Sequence, residues 1–179
     1  RRRHTRFRNV TGVQTCALPI YLAAELLKNM ASINLTHIPY KGGAQAVVDV
    51  ISGQVQLYFS SAPGALPHVK TGKLRALGVT SVRRMRASPD IPTIAESGYA
   101  GYEAANWVGL LVPARTPAAI INRLNSEVVR VLKLPELEER LVTQGGEAET
   151  NTPEQFAERI KRDIDKWARL IKAAGLTAD

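Results

Sequence analysis

With one cysteine, three histidines and two tryptophans in 179 residues, this chain has little of the material from which redox, metal and disulfide chemistry is built. A lone Cys16 closes no disulfide within the chain and offers no set of thiolate ligands. His4, His37 and His68 lie far apart, and none has a second ligand at helical spacing, so neither a metal site nor a cofactor is expected. His37 is better read as packing or hydrogen bonding within a strand. Ser60-Ser61 lacks a Gly-x-Ser-x-Gly elbow, and Tyr40-Lys41-Gly42-Gly43 lacks the spacing of a phosphate-binding P-loop, which makes enzyme the weaker class. No apolar run approaches the ~20 residues of a membrane-spanning helix, so direct membrane insertion is not expected.

Acidic residues are missing from the first 24 positions, where Arg1, Arg2, Arg3, Arg6 and Arg8 crowd the start. Setting those five arginines aside lowers the net charge from +8 to +3. The remaining charges alternate in sign along the helices, so the high pI of about 9.9 does not mark a nucleic-acid partner. A hydrophobic content of 45% over this length supports one good core or two small lobes.

The apolar spacing predicts a first helix through Leu22, Leu26 and Met30, a buried strand over residues 34–40, and a second helix through Ala44, Val47, Val48 and Ile51 that stops at Gly53. Val55, Leu57 and Phe59 alternate with polar neighbours as a half-buried strand would. A short helix or turn over 66–72 and a third strand over 74–80 follow. Strands alternating with helices at this spacing imply an α/β fold with a mainly parallel sheet. Residues 81–100, with Arg83, Arg84, Arg86, Pro89 and Pro92, read as an exposed connection between units. Beyond it come a strand over 107–113, a helix capped by Thr116 with Pro117 at its first position, and a short helix carrying Leu137 and Leu141. The last helix opens on Thr152-Pro153-Glu154-Gln155 and carries Phe156, Ile160, Ile164, Trp167 and Ile171 on one face.

The densest functional signal is residues 37–44, a short strand running into the glycine pair Gly42-Gly43 at a helix start. A helix start presents unpaired N–H groups and the positive end of the helix dipole, an arrangement suited to a carboxylate. Tyr40, Lys41, Gly42, Gly43 and Ala44 are therefore candidate ligand-binding residues, with Lys41 able to neutralise a second acid group. Ser60 and Ser61 end the next strand on the same edge, where open α/β sheets place ligands, and Trp107 is a candidate cleft wall. The alternative is structural: glycines for a tight turn, serines capping the next segment, and a core tryptophan.

Residues 37–44, 53–55, 66–81, 89–99 and 109–117, taken in series, resemble the substrate-binding receptors of tripartite tricarboxylate transporters, the Bug family. The resemblance covers residues 21–179 and implies a two-lobed, periplasmic-binding-protein-like (type II) α/β fold. It places 21–100 in the ligand-binding second lobe and 101–179 in the return segment and C-terminal helices of the first. It further implies a periplasmic receptor that closes by a hinge on a small carboxylate (a di- or tricarboxylate, an amino acid or an aromatic acid) and delivers it to membrane permease subunits. On this alignment Tyr21 falls near the middle of a family member, so part of the first lobe, against which the last helix packs, and its ligand loops are expected to be missing. Residues 10–20 resemble a translated sequencing adaptor, which sets 1–20 apart as a non-native tail; a signal peptide or a nucleic-acid-binding arm are the alternatives. The competing functions are the ligand-sensing domain of a transcription regulator and a small α/β enzyme acting on an organic acid.

Overall fold

The structure is a computed structural model that describes residues 10–15, 18–40 and 42–175, with side chains described from Ile20 onward. Among the described residues its sheet has three strands, β1 (Val10–Thr15), β2 (Leu35–Pro39) and β3 (Leu57–Tyr58), in the order β2-β1-β3. Both pairings are parallel, with Thr15 opposite Pro39 and Gln14 opposite Tyr58. The parallel sheet is as expected, whereas its central strand comes from the segment set apart as tail and was not read as a strand.

Helix α1 (Leu18–Ala31) leads from β1 to β2, and its Ala23 and Ala24 pack with Leu35 and Phe59 as the core. Small side chains on α1 let the helix lie close to the sheet. Tyr102, 1% exposed, reaches this core from the second half of the chain and donates from its phenol to the Ala23 carbonyl at 2.9 Å. Helix α2 (Gly43–Ile51) buries Ala46 and Val47 and ends at Gly53, whose φ of +78° suits a residue without a side chain. Helix α3 (Ala62–Lys70) begins earlier than residues 66–72 because Ser61 and Pro63 already favour a helix start.

Two expected strands do not form. In residues 74–80 only Val79 is bridged, in parallel to Thr93; beyond that the Thr80 carbonyl accepts from the Ala104 N–H at 2.8 Å, and no continuous ladder forms. Residues 107–113 form neither helix nor strand and have no ladder partner among the described residues, and Val108, Leu110 and Leu111 are exposed. The stretch 81–100 is more anchored than a simple connection. Thr93 is buried and exchanges reciprocal bonds with Glu96, whose carboxylate accepts from the Thr93 N–H at 2.8 Å and from Arg84 at 2.8 Å. The Thr93 N–H and then Arg84 hold the Glu96 pKa below the usual carboxylate value. Arg86 pairs with Glu138 across to a later helix.

Helix α4 (Ala118–Leu132) takes Pro117 rather than Thr116 as its cap, with no side-chain bond to the first turn. The proline ψ of 140° is still non-helical, so Pro117 precedes the first helical residue. Helix α5 (Pro135–Thr143) ends at Gly145, φ +74°. Helix α6 (Pro153–Ala173) has the full capping box: Thr152 Oγ1 accepts from the Gln155 N–H, and Gln155 Oε1 accepts from the Thr152 N–H. Its covered face runs through Phe156, Arg159, Ile160, Asp163, Trp167 and Leu170, so Ile164, expected on this stripe, falls outside it and is exposed. Helix α6 packs on α1 and α4.

Candidate functional site

Because β2 and β3 both run parallel to β1, the turns that follow them emerge at one edge of the sheet. Each turn opens a helix there, α2 after β2 and α3 after β3. A strand order in which successive crossovers go to opposite sides of β1 creates a crevice at this edge, the usual seat of ligands in open α/β sheets.

The structure brings Tyr40, Gly42, Gly43 and Ala44 together at the first of these turns; Lys41 lies outside the described residues. Gly42 caps α2 in an extended conformation (φ −178°, ψ 159°) and supplies no side-chain bond to the helix, and α2 has no acidic residue in its first turn. A Cβ built on Gly42 would meet nothing within 4 Å among the described residues, so none of them crowds this point of the helix start. The Tyr40 side chain turns to the helix instead of the opening. Its phenol donates to Asp49 Oδ2 at 2.6 Å, and this bond raises the phenol pKa above its ordinary value. Gln45 Nε2 donates to the other oxygen, Asp49 Oδ1, at 3.1 Å.

At the second turn Ser61 caps α3 without a side-chain bond to its N–H groups, and Ser60 Oγ donates to the Ser61 carbonyl at 3.0 Å. Both hydroxyls crowd Gly64, where a Cβ would stand 2.9 Å from Ser60 Oγ and 3.5 Å from Ser61 Oγ. Gly64 is thus part of the site's construction. The sequence did not single out Gly64 or Asp49, although Asp49 lies one and two helical turns from Gln45 and Gly42, a spacing that could have marked it.

Trp107 is not gathered with these residues. It lines a separate cavity of about 990 Å³ between the segment 107–112 and helices α4 and α6, whose walls include none of Tyr40, Gly42, Ser60 or Ser61. Its indole N–H donates to Asp163 at 2.6 Å, the Phe156 ring meets it edge-on at 5.3 Å, and the Arg159 guanidinium stands 5.9 Å from it. His37 is exposed on β2 and contacts the Tyr21 ring at 4.7 Å; desolvation lowers its pKa, with Glu25 opposing and Lys28 reinforcing the shift. Among the described residues no three acidic, histidine or cysteine side chains gather as metal ligands would.

The model of the tripartite tricarboxylate transporter family receptors matches residues 10–176. The chain belongs to that family. It is 35% identical to protein BugT of Bordetella pertussis over 157 residues, which is 87% of this chain and 48% of that protein. Among solved structures, Rpa4515 of R. palustris with adipate superposes at a TM-score of 0.81 with 31% identity, covering 96% of this chain and 58% of its own. MatC from Rhodopseudomonas palustris with bound malate superposes at 0.69 with 26% identity, over 91% and 57%. Solved neighbours that include periplasmic binding proteins establish a periplasmic solute-binding type of α/β fold, of which this chain is a part. The chain spans about half the length of most curated relatives it matches, BugT among them, and 90% of one, a protein of the clcB-clcD intergenic region of Pseudomonas knackmussii.

Proposed function

We propose that this chain is the part of an extracytoplasmic receptor that carries one wall of a carboxylate site, and that the receptor captures a small dicarboxylate by hinge closure and hands it to permease subunits. The observation that carries the reading is the edge where β2 and β3 deliver two helix starts side by side, in a family whose solved members include one with adipate and one with malate. The N–H groups at the start of α2 would take one acid group, and Ser60 with Ser61 a second acid or hydroxyl group. The dipole contributes about 0.3–1 kcal/mol to an exposed carboxylate and up to ~2 kcal/mol to a partly buried one, so other contacts must supply most of the affinity. The remainder of the site would come from the part of the family frame that this chain does not cover. The receptor would bind and release its ligand without turning it over. Residues 21–100 would form the second lobe and 101–179 the return to the first, in the periplasm.

The test is ligand-linked stability of the full-length protein. A melting temperature that rises with adipate or malate, and further with concentration, supports the reading. Gly43→Asp places a negative charge at the helix start and should remove that rise. Retention of the wild-type response in a folded Gly43→Asp protein would take α2 out of the mechanism.

A further inference from the structure

We propose that Asp49 is a positioning residue for ligand capture, tying the turn after β2 to the start of α2 and to the approach of β3; this role rests on the carboxylate reading above. Its side chain reaches back along α2, with one oxygen accepting from Tyr40, before the helix, and the other from Gln45, in its first turn. The carboxylate therefore grips both sides of the Gly42-Gly43 pair, which has no side chains with which to tether itself. Tyr40 and Asp49 are both half-buried, which protects their short bond from competition by water.

The main chain of the same residue holds the other end of the helix. The Asp49 carbonyl accepts from Ser52 Oγ at 3.1 Å, from the Gln54 N–H at 2.8 Å and from the Val55 N–H at 3.2 Å. Val55 is buried and leads into β3, the strand that delivers Ser60 and Ser61. One residue thus bonds to the turn after β2 and to the approach of β3.

Charge alone would argue against an acid here. A carboxylate in the helix that faces a bound acid repels it, so removing the charge should tighten binding if Asp49 acts only through its field. Removing a positioning residue should weaken binding. The two roles differ in sign.

The experiment titrates the full-length wild-type protein, Asp49→Ala, Asp49→Asn and Tyr40→Phe with adipate and malate by calorimetry, with thermal melts confirming that each is folded. Asp49→Ala is expected to weaken binding by about five- to tenfold, the scale of one net hydrogen bond. Asp49→Asn should lose less, because its amide oxygen still accepts from Tyr40. Adding Tyr40→Phe to Asp49→Ala should cost little more, because the Tyr40 phenol has already lost its acceptor. Unchanged or tighter binding by folded Asp49→Ala overturns the proposal. If the wild-type protein binds neither these acids nor a wider panel, the carboxylate reading fails first and the role of Asp49 in capture falls with it, whatever the variants do.

Discussion

The phenol of Tyr102 donates to the main-chain oxygen of Ala23, a bond between residues 79 positions apart in sequence and buried at the centre of the molecule. It ties α1, which supports the sheet, to the irregular stretch that precedes the C-terminal helices. Tyr102→Phe leaves the Ala23 carbonyl with one partner fewer in a buried setting, and should lower the unfolding free energy by about 1–3 kcal/mol in urea titrations. An unchanged midpoint would show that water replaces the phenol.

The same phenol makes stability depend on alkaline pH. Burial raises its pKa well above the ordinary tyrosine value of 10.0. The folded state thus favours the protonated form, and the stabilisation is complete below the unfolded pKa and lost as pH climbs above it. Urea melts between pH 8 and 11.5 should show stability falling from about pH 10 in the wild type, and falling less in Tyr102→Phe.

Two glycines with nearly the same backbone separate strain from crowding. Gly53 and Gly145 have φ of +78° and +74°, yet a Cβ at Gly53 meets nothing within 4 Å, whereas one at Gly145 would lie 2.3 Å from Ala62 Cβ. Gly53→Ala should cost about 1–2 kcal/mol for the left-handed conformation alone. Gly145→Ala should cost that plus about 1–3 kcal/mol of overpacking, because the end of α5 must back away from α3. Equal losses in chemical denaturation would mean that the α3–α5 contact yields freely.

The α6 start should behave as an independent cap. Thr152→Ala removes the acceptor for the Gln155 N–H and should destabilise by about 1 kcal/mol. Glu154, in the first turn, has its pKa lowered chiefly by the Thr152 side chain. Its contribution is therefore present above its unfolded value of 4.5 and disappears as pH falls, so the variant should differ less from wild type near pH 3 than at pH 7.

Ile120, Leu124, Val128 and Val131 form a regular stripe on α4, yet all are exposed, as are Val108, Leu110 and Leu111 nearby. The 179-residue chain alone should bind an environment-sensitive apolar dye and elute larger than a monomer. Replacing Ile120, Leu124 and Val131 with Gln should reduce both signals. A sharply melting monomer without dye binding would contradict this.

Much of this architecture was legible from spacing and cap chemistry. The Thr152 to Gln155 box, the Gly53 stop and the glycine pair at α2 state local physics that neighbours cannot easily overrule. Residues 74–80 and 107–113 failed as strands for the opposite reason: alternation prepares a strand, but a ladder needs a second strand, and sequence spacing does not say whether one is present. β1 was missed because residues 10–20 were judged by resemblance instead of pattern. At the site, the two turns were visible from Gly42 to Ala44 and from Ser60 to Ser61. Asp49 was not, since a single aspartate inside a helix usually faces water. The separate position of Trp107 was not visible either, because nothing local reveals its bond to Asp163, 56 positions away.

The placing of β1 between β2 and β3 turns the sheet into a ruler. Adjacent strands are spaced by roughly 4.8 Å, so the turns after β2 and β3 stand about 9.6 Å apart, with no direct hydrogen bonding between those two strands to draw them closer. A diacid that engages both turns must match that width. Selection among acids at this edge would then depend on the length of the carbon chain between their charges as much as on the charges themselves.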